Sequence, residues 1–397
     1  MAQGAALPLP AGPLRQAQWS LMAANFAIGC GVMVVAGAMN NIVQDLQISL
    51  ALGGQLVTIG AVVVGLGAPL LAAVVGGTDR RRLLTFWLAW FGLGHLLSAW
   101  MPAYAPLALL RAATMLGAAV VTPQAAAAIG VMAPPEQRGR AITFVFLGWS
   151  VASVLGMPLH AYIAEVLSWR WAFAVVGLLG LASAAWVWHA VPDGVKPAPL
   201  SMAAWRATLT NPALMAVVAV TVASSAGQFT QFAYMAPYYR QVLHASPAQV
   251  SALFMSFGAF GFIGNVWLSR RVDHWGAARA VLVLLGCIAV SLLAWPLATG
   301  FATMLLVTAP WGLGCFASNS AQQARLGLAA PALAPALMAL NSSAMYVGQA
   351  IGAAMGGAML AASGFQHLHA VGLAWVLGAM ALSVWAERRL RERAARS

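Results

Sequence analysis

Polar side chains are rare in the long apolar stretches of this 397-residue sequence, and each of them needs a partner or water. Arg111 is the only charged residue deep inside such a stretch. An arginine at the centre of a membrane-spanning helix costs about 2.5–3.5 kcal/mol on insertion scales, so it should face a cavity or a partner. Two interpretations stay open. Arg111 is a counter-ion for a solute or a link in proton transfer, or it is a buried side chain held by backbone carbonyls.

Neutral polar side chains recur at helical spacing. Ser224, Gln228 and Gln231 stand at i, i+4 and i+7, which places them on one face of a helix. We predict contact with a bound solute for Arg111 and for these residues: Asn25, Gln124, Ser224, Gln228, Gln231, Tyr234, Asn319 and Gln322. The alternative is that the amides bond one helix to another, which contributes about 0.6 kcal/mol each in a membrane.

Two histidines and one acid are candidates for carrying a proton. His95 and His160 lie within apolar stretches, and an imidazole titrates near neutral pH. Glu165 is the acid nearest to His160, five residues further along the chain. The alternative for each histidine is a neutral ring bonded to a carbonyl oxygen.

The composition excludes a water-soluble protein. Apolar residues make up 62% of the chain, charged residues 7%, and the mean hydropathy is +0.83. A soluble domain carries about 25% charged residues. The single lysine, Lys196, stands in Val-Lys-Pro, so there is no Gly-Lys-Ser/Thr loop for ATP. Isolated cysteines and the lack of protease or lipase motifs predict a protein that is not an enzyme and has no metal or cofactor.

Apolar runs punctuated by Pro, Gly and charge clusters predict an all-α membrane protein with twelve transmembrane helices in two pseudo-symmetric six-helix bundles. The bundles are 1–191 and 212–397, joined by a cytoplasmic linker at 192–211. The predicted spans are about 18–39, 51–76, 83–101, 105–132, 140–165, 170–191, 212–238, 248–269, 279–298, 301–327, 335–361 and 367–387. Trp and Tyr near span ends are predicted interfacial anchors: Trp19, Trp100, Trp169, Trp171 and Tyr238.

Basic residues set the orientation. With the N-terminus inside, seventeen of the 20 Lys and Arg fall in inside segments, two fall outside, and Arg111 lies within a span. This bias predicts that both termini are cytoplasmic. Because the basic residues are spread over short loops, their partner is the lipid bilayer and not nucleic acid.

The two halves repeat each other at an offset near 196. Gly117 and Gln124 in the fourth span align with Gly314 and Gln322 in the tenth. Gly352 in the eleventh span aligns with Gly156 in the fifth. Paired halves of this kind are a recurrent transporter architecture with the binding site between them near the midplane.

At these residues the chain resembles the major facilitator superfamily over nearly its whole length. Asp273-His-Trp-Gly-Ala-Ala-Arg and Asp79-Arg-Arg-Arg look like the family's loop signature, and Leu-Leu-Arg111 resembles its fourth-helix motif. Leu155-Gly-Met-Pro158 resembles the fifth-helix antiporter motif. Leu340-Asn-Ser-Ser and the glycines after it look like the sugar- and drug-efflux subgroup. The resemblance implies that spans one, four, seven and ten line a central cavity.

The sequence departs from the subgroup at three positions. Val32 stands where relatives often have a glutamate in the first span. Met115 replaces the first glycine of the fourth-helix motif, and His160 replaces a small residue in the fifth. These changes argue against a standard carboxylate-based proton antiport.

Gating is expected at the charged loops and at small residues between helices. An aspartate beside arginines can pair across the halves or sit at a helix N-terminus. Glycines at i, i+4 spacing allow close helix approach, as static packing or as a sliding contact. The residues assigned to gating are Asp79, Arg80, Arg81, Arg82, Asp273, Arg279, Gly156, Pro158, Gly352 and Gly356.

Together these features predict a monomeric secondary transporter of the inner (plasma) membrane that works by alternating access. The expected activity is efflux of a small organic solute, a sugar or a drug-like compound, which is either uncoupled or coupled to protons through a histidine or Glu165. The alternatives are an uncoupled facilitator or exchanger for a neutral or anionic metabolite and, less favoured, a channel.

Overall fold

The structure is a computed structural model that describes residues 9–197, 202–269 and 271–394, apart from the side chains at 73, 269, 272, 273, 335, 393 and 394. Twelve long helices, α1–α12, dominate this part of the chain. The first six are Ala11–Gly37, Leu50–Val74, Arg80–Ser98, Tyr104–Met132, a composite α5 of Arg138–Val151, Ala152–Gly156 and Met157–Val166, and Trp169–Ala190. The last six are Pro212–Phe232, Pro247–Ser269, Ala277–Ala294, Phe301–Ala329, Ala334–Ser363 and Leu368–Ala394.

Ten ranges are long and apolar enough to cross a membrane by length and composition. One of them, Ala336–Glu392, contains both α11 and α12. The helix α3 is not among the ten, because it begins with three arginines. Adding it and separating α11 from α12 gives twelve helices within the described residues, which confirms the predicted all-α fold.

Some predicted boundaries differ from the structure. The helix α1 begins at Ala11 and not near residue 18, and α12 continues past residue 387 to Ala394. Polar residues can extend a helix beyond the apolar layer that hydropathy detects. The seventh span, expected to run from 212 to 238, ends at Phe232 and is followed by a short helix, Met235–Gln241.

The internal repeat is visible in how glycines pack. A Cβ on Gly117 in α4 would lie 2.8 Å from the carbonyl oxygen of Trp87 in α3. At the matching position, a Cβ on Gly314 in α10 would lie 2.8 Å from Ile288 Cγ1 in α9. Equivalent glycines therefore let equivalent helix pairs approach closely in the two halves.

Apolar side chains cover the outer surface of the helices. Leu70, Val74 and Leu109 are 68%, 78% and 75% exposed, as expected for side chains that face lipid. Of the predicted interfacial anchors, Trp19, Trp100 and Trp171 are exposed. The prediction was wrong for Trp169 and Tyr238, which are 1% and 7% exposed because they pack between helices. Trp169 donates to Asp45, and Tyr238 packs on Trp295.

The two sets of six helices meet along two pairs of helices, α2 with α11 and α5 with α8. Gly65 in α2 brings the backbone of Val347 close, and Gly258 in α8 does the same for Val154 in α5. A π-helical turn, Ala152–Gly156, interrupts α5 just before Pro158. With an even number of spans, the first and the last described residues lie on one side of the molecule, which we call the terminal side.

Candidate solute cavity and its closure

A cavity of about 570 Å³ lies between the first six helices and the last six. Its wall combines aromatic side chains such as Trp149, Phe229 and Phe316 with amides such as Gln228 and Asn319. None of the described residues that line it is Asp, Glu, Lys, Arg or His. The cavity therefore offers apolar surface and neutral hydrogen-bonding groups.

The cavity opens toward the terminal side. Its wall takes Thr143 from the beginning of α5, Leu268 from the end of α8 and Ala324 from the last part of α10. All three positions lie in the parts of their helices nearest the terminal side. Thr143 and Ser320, which are exposed, lie at the mouth.

Four of the predicted solute contacts line this cavity: Ser224, Gln228, Asn319 and Gln322. The other five are not among the described lining residues: Arg111, Asn25, Gln124, Gln231 and Tyr234. Asn319 and Gln322 lie in the terminal-side half of α10, whereas Ser224 and Gln228 lie just past the middle of α7. The spacing along one helix face could not give these depths.

Arg111 is 2% exposed and is held by the backbone of α1. Its Nη1 donates to Gly31 O at 2.7 Å and its Nη2 to Val32 O at 3.1 Å. Because a carbonyl oxygen has two lone pairs, these bonds form beside the helical ones. Val32 is itself part of the cavity wall. Arg111 therefore fixes a turn of α1 that shapes the cavity, one layer behind the surface that a solute would touch.

His95 is a hydrogen-bond acceptor for this arginine. Its Nδ1 lies 2.9 Å from Phe91 O, which can only accept, so the ring proton is on Nδ1. Its Nε2 is then free to accept from Arg111 Nη1 at 3.4 Å. A second proton on Nε2 would face the guanidinium, which argues for a neutral ring.

His160 is also buried, at 1% exposure, but neither of its ring nitrogens has a hydrogen-bond partner among the described residues. Gln231 is fully buried, and both atoms of its amide also lack a partner there. By contrast, Asn25 donates to Leu21 O at 3.4 Å within its own helix. Gln124 is 7% exposed in α4.

Tyr234 lies in the break after α7 and joins three helices. Its hydroxyl donates to Ala353 O in α11 at 2.7 Å. A Cβ on Gly357 would lie 2.7 Å from that hydroxyl, and Gly54 in α2 lies against it as well. Tyr234 therefore packs at the contact between the halves and not in the cavity.

The side opposite the termini is closed by a cluster around Glu165. This carboxylate accepts from Asn40 Nδ2 at 2.9 Å and lies 3.4 Å from Arg240 Nε. Asn40 also donates to Ala236 O at 3.2 Å. The side chain of Glu165 is only 6% exposed, against 27% or more for the other acids with ion pairs in the described chain. The cluster links the end of α5 and the residues after α1 to the short helix after α7.

The Asp79 loop is organised within the first half. Asp79 caps α3 by accepting from Arg82 N at 3.2 Å, and it accepts from Gly194 N at 2.6 Å. Arg81 and Arg82 pair with Asp193 at 3.9 and 3.7 Å. The loop thus ties the α2–α3 turn to the residues just after α6, and Asp79 occupies the helix N-terminus, one of its two expected positions.

The remaining residues assigned to gating fall in different places. Arg80 is 2% exposed and donates to Val75 O and Thr78 O at 3.1 and 2.7 Å. Arg279 is exposed on α9, and the side chain of Asp273 lies outside the described residues. Pro158 O accepts from Ser251 in α8 at 3.0 Å, across the two halves.

The glycines Gly352 and Gly356 lie within the second half. A Cβ on Gly352 would lie 2.9 Å from Thr230 N, and one on Gly356 would lie 2.7 Å from Tyr234 Cε2. Gly156 packs on Cys30 in α1 in the same way. These glycines set the spacing inside each bundle, while Gly65 and Gly258 set the spacing between bundles.

Sequence reasoning missed several residues of the cavity region. Trp311 and Asn341 are fully buried and hold the lining amides, and Asn40 contributes to the closure. A signal existed for Trp311, because a tryptophan in the middle of a span is too deep to be an interfacial anchor. Asn341 stands in the Leu-Asn-Ser-Ser motif, but only the fold shows what it contacts.

These features define a multi-pass membrane transporter. The chain belongs to the Major Facilitator Superfamily, whose family model matches residues 21–353. This confirms the resemblance seen in the loop and helix motifs.

Relatives of similar length are bacterial membrane proteins. The inner membrane transport protein YdhP of Escherichia coli K12 is 29% identical, over 92% of this chain and 94% of its own. An uncharacterized MFS-type transporter of Bacillus subtilis, YbcL, is 26% identical over 90% and 91%. A Helicobacter pylori 26695 protein named "Probable sugar efflux transporter" is 26% identical over 88% and 89%.

Solved structures share the fold at low sequence identity. A bacterial homologue of the lysosomal transporter Spinster, inward-facing and unoccupied, superposes with a TM-score of 0.74 at 14% identity, covering 97% of this chain and 99% of its own. The D-xylose–proton symporter gives 0.73 at 16% identity, covering 93% and 97%.

Proposed function

We propose that this transporter exports a small neutral organic solute, sugar-like or drug-like, by alternating access between its two halves. The observation that carries the proposal is the uncharged cavity between the halves, open at the terminal side and closed at the other by Glu165, Arg240 and Asn40. A carrier needs a site that one gate covers while the other is open, and a continuous pore would lack such a closure.

Two observations support efflux as the direction. The excess of Lys and Arg in the segments on the terminal side favours a cytoplasmic location for both termini. The cavity then faces the cytoplasm, from which an exporter loads its solute. The names of sugar efflux relatives support the same direction.

The transport cycle has two versions, one coupled to protons and one uncoupled. Glu165 and His160 are the remaining proton candidates, because His95 is occupied as an acceptor for Arg111. An uncoupled facilitator or exchanger is the second candidate function. It is favoured by the lack of a carboxylate or histidine among the described residues of the cavity wall.

Counterflow in proteoliposomes tests the proposal. Vesicles are loaded with an unlabelled sugar, amino acid or drug-like solute, and the labelled form is offered outside. We expect transient accumulation of a neutral solute, and we expect Ser224→Trp, which fills the cavity, to abolish it. Leu66→Trp places the same side chain on the outer surface and should leave counterflow intact. Flux that saturates in neither direction and shows no counterflow would indicate a channel.

An imposed pH gradient distinguishes a proton-coupled carrier from an uncoupled one. With equal solute on both sides, a proton-coupled carrier accumulates the solute when only a pH gradient is imposed, and an uncoupled one does not. Accumulation that persists after His95, His160 and Glu165 are all replaced would exclude coupling through these three residues.

A further inference from the structure

The amides in the cavity wall have a fixed direction, because buried neighbours with a single hydrogen-bonding role hold them. The indole Nε1 of Trp311 can only donate, and it lies 3.1 Å from Gln228 Oε1. The oxygen of Gln228 is therefore turned toward the buried Trp311. Its Nε2 donates one N–H to Ser224 O at 3.3 Å, and its other N–H is left for the cavity.

A second fixed point lies at Gln322. The carbonyl oxygen of Val217 can only accept, and Gln322 Nε2 lies 2.8 Å from it. The oxygen of Gln322 consequently faces Arg325 Nη1 at 3.5 Å. Arg325 is 4% exposed and pairs with Glu387 at 3.0 Å.

The orientation of the hydrogen bonds at Gln322 is passed on to the cavity wall through a relay of three side chains, Thr221, Asn341 and Asn319. Thr221 Oγ1 accepts from Gln322 Nε2 at 3.4 Å and donates its own proton to Asn341 Oδ1 at 2.6 Å. Asn341 Nδ2 then donates to Asn319 Oδ1 at 2.9 Å. Asn341 is fully buried and is not part of the cavity wall, whereas Asn319 is. Neither N–H group of Asn319 has a hydrogen-bond partner among the described residues, so both are available to a solute in the cavity that Asn319 lines.

We propose that Gln228 and Asn319 present N–H donors to the solute, so that this transporter selects solutes with a strong hydrogen-bond acceptor over organic cations. The proposal rests on the transport function proposed above and names the chemistry of its solute. An organic cation would meet donors and no carboxylate among the described residues of the wall. A carbonyl, ether or similar oxygen would meet two directed donors.

A matched pair of probes tests the selection. Triphenylphosphine oxide is neutral and carries one strong acceptor oxygen, while tetraphenylphosphonium is a cation of similar aromatic bulk with no acceptor. Binding of each probe to the purified full-length protein is measured by calorimetry. We expect the phosphine oxide to bind about tenfold more tightly, the effect of one or two net hydrogen bonds. Equal affinities, tighter binding of the phosphonium, or no binding of the phosphine oxide would each overturn the proposal.

Two variants distinguish the effect of the amide orientation from the effect of charge. Asn319→Asp replaces the donors with an acceptor and should reverse the preference. Gln323→Glu places the same carboxylate in the same cavity outside the relay, and it should change the ratio of affinities much less. If both variants change the ratio equally, charge explains the selection and the directed relay is wrong.

The relay itself can be broken without adding charge. Thr221→Val removes the hydroxyl that orients Asn341 and should lower the preference several-fold. Thr143→Val removes another hydroxyl of the wall, one that donates to Gly139 O in its own helix, and should leave the preference unchanged. An unchanged preference in a Thr221→Val protein that unfolds at the wild-type temperature would overturn the proposal.

These measurements need no transport, so the two proposals fail separately. A protein that prefers the phosphine oxide but shows no counterflow would contradict alternating access only. A protein that shows counterflow but prefers the phosphonium would contradict only the selection.

Discussion

The carboxylate of Glu165 lies 3.4 Å from Nε of Arg240, and this ion pair joins the first six helices to the last six. Asn40 bridges the same two elements by donating to Glu165 and to Ala236 O. The cavity opens on the other side, so this cluster must separate before a solute can leave at the opposite face. The strength of this cluster helps to set the equilibrium between the state open at the terminal side and the state open at the opposite side.

Glu165→Gln should shift this balance toward the state that is open opposite the termini. Loss of about 1 kcal/mol of cross-half interaction changes the population ratio about fivefold. Cys315 lines the cavity and reports the change. In a background with Cys30→Ser and Cys287→Ser, we expect faster labelling of Cys315 by an impermeant thiol reagent added on the opposite side. Glu387→Gln breaks the pair with Arg325, which joins α10 to α12 inside the second half, and should leave labelling unchanged. Equal rates of Cys315 labelling in wild type and Glu165→Gln would show that the cluster does not keep the opposite side closed.

Arg111→Ala should lower stability more than it lowers solute affinity. The side chain donates two hydrogen bonds to α1 and a third to His95, and hydrogen bonds to charged groups contribute about 1.5–3 kcal/mol each. We expect a drop in unfolding temperature in detergent, and Arg111→Lys should restore little because an ammonium lacks the planar fork. Arg279→Ala, on the exposed surface of α9, is the control. Wild-type stability with abolished binding would instead support the counter-ion interpretation.

Gly148→Ala and Gly348→Ala should each destabilise the protein, because each glycine packs against the first helix of its own half. A Cβ on Gly148 would lie 2.6 Å from Phe26 N in α1, and one on Gly348 would lie 2.7 Å from Ser225 Cβ in α7. Helices in backbone contact cannot move apart locally, so we expect about 1–3 kcal/mol of overpacking cost in each. Gly286→Ala in α9 meets nothing within 4 Å and should be neutral or stabilising, since alanine favours a helix. Thermal unfolding checks all three, and a neutral Gly348→Ala would argue against close α7–α11 packing.

The Asp45–Arg170 pair predicts a pH dependence on the side opposite the termini. Hydrogen bonds from Arg170 and then Trp169 lower the pKa of Asp45 from its ordinary value of 3.8. A lowered pKa means that the stabilisation is present above pH 4 and is lost as pH falls through the folded-state value. Because the carboxylate is 46% exposed, we expect less than about 1 kcal/mol. The gap in unfolding temperature between wild type and Asp45→Asn should close as the pH falls below the ordinary pKa of 3.8 and through the lower folded-state pKa. Glu136→Gln, at an exposed position, should follow the wild-type profile, and a constant gap for Asp45→Asn would contradict the assignment.

The helices and their number could be predicted because hydropathy is a property of each segment alone. A stretch of about 20 apolar residues must form a helix in a bilayer, wherever it packs. The repeat was also visible in sequence, because Gly117 and Gly314 recur where equivalent helix pairs touch. Helix ends were predicted less well, since α1 and α12 extend into polar residues that hydropathy does not count.

The candidate site was predictable only in part. The period of 3.6 residues placed Ser224, Gln228 and Gln231 on one face, yet only the first two reach the cavity. Gln231 comes just before α7 breaks at Phe232 and is fully buried. Spacing gives the face of a helix, whereas the neighbours that cover that face come from distant parts of the chain.

The sequence by itself determined that the protein lies in a membrane, its class of fold, its internal repeat and the side on which basic residues gather. Each of these depends on local composition. Only the tertiary structure decided that Arg111 bonds to α1 and His95, that Glu165 meets Arg240, and that Trp311 and Asn341 turn the lining amides. Hydrogen bonds act over about 3 Å, so they depend on how helices far apart in sequence are packed.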